Sequence, residues 1–78
     1  NPKNYEPLLG AGRAALRLND PQAAIGFFGR AEEINASHWM PKALQGSALA
    51  HMGEGLAALG MFEQAQRLGA SVPLIAPR

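Results

Sequence analysis

Apolar residues recur at spacings of three and four along most of this chain, with polar residues between them. That spacing puts the apolar side chains on one face of a helix, and it marks four segments. The first runs from about Glu6 to Leu18, where Leu8, Ala11, Ala15 and Leu18 form the stripe. Pro7 suits its opening turn, where a missing N–H costs little. Asn19-Asp20-Pro21 ends it, because Pro21 disfavours helical geometry at Asp20. Asp20 is then free to cap a second helix, Pro21 to Ile34, with the proline in its first position. Ala24, Ile25, Phe28, Ala31 and Ile34 share a face there. Gly26 and Gly29 weaken that helix by about 1 kcal/mol each relative to alanine, which predicts close approach of another helix.

Asn35 is placed as the C-terminal cap of the second segment, leading into an Asn35-Ala36-Ser37 loop. The third segment begins near Trp39 or Met40 and runs to Met52, with Leu44, Ala48, Leu49 and Met52 as its stripe. Gly53-Glu54-Gly55 breaks the chain and starts a helix less firmly than Asp20-Pro21 does. The fourth segment, about Glu54 to Leu68, buries Ala58, Leu59, Phe62 and Ala65, and Gly69 fits its C-terminal cap. Residues 70–78 contain Pro73 and Pro77 and are expected as an extended tail. A sheet is disfavoured: Ile25, Ile34, Val72 and Ile75 are the only Val or Ile, and there is no Thr.

The chain also resembles itself. Shifted by 34 positions, eleven pairs are identical, among them Pro7/Pro41, Gly12/Gly46, Ala24/Ala58, Gly26/Gly60, Phe28/Phe62 and Ala31/Ala65. The alanine-rich composition alone would supply roughly four. Tyr5 with Trp39, Ile25 with Leu59, Phe27 with Met61 and Ile34 with Leu68 are conservative matches.

A 34-residue helix–turn–helix unit with Gly, Ala, Phe and Ala at relative positions 8, 20, 24 and 27 resembles the tetratricopeptide repeat family. Gly12, Ala24, Phe28 and Ala31 carry the match in a first unit of about 5–38. Gly46, Ala58, Phe62 and Ala65 carry it in a second of about 39–72, followed by a tail, 73–78. The chain departs from the family pattern at relative positions 4 and 11, where Leu8 and Ala15, then Lys42 and Leu49, replace large aromatics. Ala36 and Ala70 stand where proline is expected. The resemblance implies an all-α fold: a right-handed α–α superhelix of two antiparallel hairpins, four helices in all plus the tail. Gly12 and Gly46 are expected to let the helices of each hairpin approach, and Phe28 and Phe62 to fill the gap between hairpins.

It also implies function. In this family the first helix of each hairpin lines a concave groove that binds a peptide or protein. The matching positions are Glu6, Leu9, Arg13 and Leu16, then Met40, Ala43, Ser47 and Ala50. Apolar residues with one cation suit a peptide having apolar side chains and an acidic group. The Lys and Asn pair with which some members grip a C-terminal carboxylate is replaced by Leu9 and Arg13, so that clamp is not expected. Leu59, Phe62 and Leu68 have no following hairpin to cover them and form an exposed terminal face. Self-association through that face, as a possible homo-oligomer, or removal from a longer array is therefore expected. A chain that starts at Asn1 rather than Met is expected to be a processed or excised fragment.

Composition adds limits. Seven basic and six acidic residues leave a formal charge of +1, too balanced to predict nucleic-acid binding. No apolar run is long enough for membrane insertion. With no cysteine, disulfides and thiolate metal sites are excluded. No catalytic residues, cofactor or metal ligands are identified. Gly10-Ala11-Gly12-Arg13-Ala14-Ala15 superficially fits a dinucleotide fingerprint but has no strand before it. His38 and His51 lack further ligands at zinc-site spacing, and are expected in the inter-repeat loop and on a helix surface. Glu32 and Glu33 are adjacent and diverge, as on a solvated face. Arg13, Arg17 and Lys42 also fit a solvated face. The expectation is a non-catalytic interaction module; the alternatives are a structural self-assembly domain or an accessory domain of a larger enzyme.

Overall fold

The computed structural model describes residues 4–69; the expected tail lies outside them. Among the described residues the fold is all-α, with no strand. Its helices are α1 (Tyr5–Arg17), α2 (Pro21–Ile34), α3 (Met40–His51) and α4 (Gly55–Arg67). Packing is chiefly between chain neighbours: α1 on α2, α2 on α3, α3 on α4.

The two sharp turns are built alike. After α1 the Asn19 N–H donates to the Leu16 carbonyl (2.9 Å) and the Asp20 N–H to the Ala15 carbonyl (2.8 Å). After α3 the Gly53 N–H donates to the Ala50 carbonyl (3.0 Å) and the Glu54 N–H to the Leu49 carbonyl (2.9 Å). Each is a Schellman motif, and each needs a left-handed residue just past the helix. Asn19 (φ 65°) and Gly53 (φ 81°) supply it, 34 positions apart. In both turns the next residue caps the following helix: the Ala24 N–H donates to the Asp20 carbonyl and the Ala58 N–H to the Glu54 carbonyl. The Asp20 side chain also accepts from the Ala23 N–H at 3.3 Å, whereas Glu54 makes no side-chain cap bond, so α4 does start less firmly. Asn35 and Gly69 fall at or just past helix ends, the latter at φ 113°.

The glycines divide into two kinds. A Cβ on Gly12 would lie 2.3 Å from Phe28 Cε1, and one on Gly46 would lie 2.7 Å from Phe62 Cε1. These two glycines therefore seat a phenylalanine ring within each helix pair, so Phe28 and Phe62 pack inside hairpins rather than only between them. Gly26, Gly29 and Gly60 meet nothing within 4 Å. The expectation of a helix pressed against Gly26 and Gly29 is corrected: that face is open.

The core is Tyr5, Leu8, Leu9, Ala15, Ala24, Phe28, Ala31 and Ala48, with Leu16, Ile25, Phe27, Ile34, Met40 and Leu44 around it. On α1 the buried set is Tyr5, Leu8, Leu9, Gly12 and Ala15, which keeps Leu8 and Ala15 of the predicted stripe and widens toward Leu9 and Gly12, with Ala11 only half-buried. Leu18 drops out at 80 % exposure because α1 ends at Arg17. Met52, past the end of α3, is likewise exposed. Ala58 and Ala65 are buried on α4, Phe62 is half-buried, and Leu59 is 43 % exposed rather than buried.

Candidate functional site

The predicted groove residues come from α1 and α3, and the structure separates them by burial. Glu6, Arg13, Ser47 and Ala50 are exposed, while Leu16, Met40 and Ala43 are half-buried. Leu9 is corrected: at 3 % exposure it belongs to the core and offers a partner nothing. Leu8 and Leu9 are about 100° apart around the helix, and the buried arc of α1 is wide enough to take both. Arg13 and Met40 meet directly, the guanidinium Nη2 donating to Met40 Sδ at 3.4 Å. A cation and a thioether from two different helices thus form one surface. Met40 supplies an adaptable apolar contact and Arg13 a fixed charge.

Beside this surface lies an aromatic edge that sequence spacing did not reveal. The Tyr5 and His38 rings meet edge-on with centroids 6.1 Å apart, and His38 stacks on Trp39 at 5.5 Å. His38 is more than a loop residue: its Nδ1 accepts the Met40 N–H at 3.1 Å, satisfying one of the open donors at the start of α3. A histidine two residues before the helix was the available signal. The Tyr5 hydroxyl is buried without a hydrogen-bond partner among the described residues. Burial, then the Glu6 carboxylate, pushes its pKa up.

Two residues read as solvated prove to be paired. Glu32 on α2 accepts from Lys42 Nζ, and its other oxygen accepts from Gln45 Nε2 at 2.8 Å. Lys42 and Glu32 keep only 17 % and 28 % of their side-chain surface, so this network bridges α2 and α3 in a partly dry place. The Lys42 bond first, then that of Gln45, holds the Glu32 carboxyl below the usual glutamate range. In the sequence Lys42 stood out only as a departure from the repeat pattern that the chain resembles.

Two open hollows flank α2. One, about 510 Å³, is lined by Pro7, Leu8 and Ala11 from α1 and by Phe27, Arg30 and Ile34 from α2, among others. The second, about 590 Å³, lies over Ile25, Gly26 and Gly29 and is bordered by Arg30, Glu32 and Glu33. The Gly10–Ala15 stretch lies inside α1, so its backbone is helical and does not form a phosphate-cradling loop. His51 is exposed at the end of α3. Among the described residues, no cluster of His and carboxylates could hold a metal ion. No helix there is long and apolar enough to cross a membrane. Of the predicted terminal face, Leu59 is exposed and Phe62 and Leu68 are half-buried; Leu56, not predicted, is 88 % exposed.

No family model, curated protein or solved structure matches this chain.

Proposed function

We propose that this chain is a protein-interaction module of the tetratricopeptide type, a short right-handed stack of two hairpins that binds a peptide across α1 and α3. The observation that carries this reading is the meeting of Arg13 and Met40, which joins one surface from two repeats. Recurrence of the turn geometry and of the glycine–phenylalanine contacts at 34 positions supports the repeat. Glu6, Arg13, Ser47 and Ala50 offer exposed polar and small contacts, and Leu16, Met40 and Ala43 offer partly exposed apolar ones. The partner expected is a segment with apolar side chains and a carboxylate placed to pair with Arg13.

Selection of short random peptides displayed on phage, followed by titration of the enriched sequences, tests the proposal. Arg13→Glu lowers affinity at least about tenfold, roughly 1.4 kcal/mol, by reversing the one groove cation. Arg30→Glu, off the groove, leaves affinity unchanged, and both variants melt like the parent. Binding that ignores Arg13→Glu, or no enriched peptide at all, removes the support for this groove.

A further inference from the structure

We infer that this chain associates head-to-tail with further copies of itself, the α4 face of one copy seating in the α1/α2 hollow of the next. The inference is independent of the peptide groove, which lies on α1 and α3.

The chain contains its own example of such a junction, where α3 lies against α2. Identical residues 34 positions apart act as internal controls. Phe28 and Phe62 each sit on a glycine of their own hairpin, Gly12 and Gly46. Phe28 has no exposed surface, yet Phe62 is half-buried. The two differ in what lies beyond them, since α2 has α3 to pack against and no further helix follows α4 among the described residues. At the other side of the junction, Pro41 is fully buried while Pro7 is exposed. Pro41 has a hairpin before it, and Pro7 has none among the described residues.

The two incompletely covered faces are the two halves of that internal junction. Lys42 and Gln45 of α3 contact Glu32 of α2. Their counterparts, the buried Leu8 and the half-buried Ala11, line the 510 Å³ hollow together with Pro7, Phe27, Ile34, Arg30 and Glu33. The counterparts of Ile25 and Phe28 are Leu59, which is exposed on α4, and Phe62, which rests on Gly46 and is covered on that side only. A partly apolar projection and a hollow that mixes Pro7, Phe27 and Ile34 with Arg30 and Glu33, on opposite ends of one molecule, thus correspond by position to a contact that the chain already makes inside itself. Such an interface is heterologous: each copy keeps one projection and one hollow free, so association runs past two chains into rings or filaments. Positions 66 and 8 hold Gln and Leu, so the Glu32–Lys42 ion pair of the internal junction has no charged counterpart between copies, and a weaker contact is expected.

Sedimentation velocity of the full chain from about 1 µM to about 500 µM covers the range of such weak contacts. The mass climbs with concentration beyond two chains. Leu59→Asp disables the projection and Ala11→Glu the hollow, and each alone weakens association at least tenfold. An equimolar mixture of the two variants, having one good projection and one good hollow, associates again but stops at two chains. Pro7→Glu serves as the hollow variant if Ala11→Glu lowers helix content by circular dichroism. A monomer throughout the range overturns the inference, as does a mixture that fails to associate. A closed dimer abolished by Leu59→Asp but untouched by the hollow variants also overturns it, since that is α4 meeting α4.

Discussion

Glycines in the helices look alike in a propensity table and differ in what surrounds them. Gly12 supports the Phe28 ring, so even a methyl group there forces the ring or the backbone to move. Gly12→Ala is expected to destabilise by about 1–3 kcal/mol through overpacking. Gly26 and Gly60 face open space, and alanine there is expected to stabilise by about 0.5–1 kcal/mol by removing backbone freedom from the unfolded chain. Urea denaturation of the three variants checks both signs; equal effects at Gly12 and Gly26 would contradict the packing described. The glycine at position 12 was legible because its copy at 46 recurs with a phenylalanine sixteen residues on from each. Gly26 and Gly60 recur too, but an exposed pair and a buried pair repeat equally well in sequence. Leu9 shows the same limit: its groove position was assigned by analogy, and the width of the buried arc on α1 depends on how closely α2 approaches.

At the level of helices, the polar bridge across the α2–α3 junction centres on one glutamate, Glu32. The unfolded chain binds a proton at Glu32 more tightly than the folded chain does, because Lys42 and then Gln45 hydrogen-bond the carboxylate. The resulting stability is fully present above the ordinary glutamate value near 4.5 and is lost as pH falls through the lowered folded value. Urea midpoints measured from neutral to acid pH should therefore drop more steeply for the parent than for Glu32→Gln. Parallel curves would show that the pair contributes nothing to acid sensitivity. A double-mutant cycle with Lys42→Met should give a coupling of about 0.5–1 kcal/mol, as for pairs that retain some solvent. Helix positions and their caps were readable from Asp20-Pro21, Asn35 and Gly69, since those signals are local. This bridge was not, because positions 32 and 42 meet only after α3 folds back against α2.

Over the whole molecule, stability is unevenly spread. The body is elongated, with extents of 39 × 27 × 15 Å. The main core cluster draws on α1, α2 and α3, while α4 adds only Ala58 and Ala65 as buried apolar residues and sets Phe62 over Gly46. Regions with few buried contacts open first. Amide hydrogen exchange at low protein concentration should show α4 losing protection well before α2; uniform protection would mean that the hairpins open as one unit. The repeat at 34 residues made the all-α arrangement legible, since each copy repeats the other's turns and glycine contacts. What it could not reveal is how unlike the two copies are in burial, because that depends on which faces have neighbours.

The turns at Asn19-Asp20 and Gly53-Glu54 leave no slack in the chain. The residue that closes one helix is followed at once by the residue that opens the next, and Asp20 and Glu54 each serve both ends. One extra residue there would have to join a helix, turning every later side chain by about 100°, or else break the shared cap. The connection through Asn35, Ala36 and Ser37 carries no such double duty. Growth of the chain by insertion is therefore confined to the seam between hairpins, whose length can vary without disturbing the register inside either one.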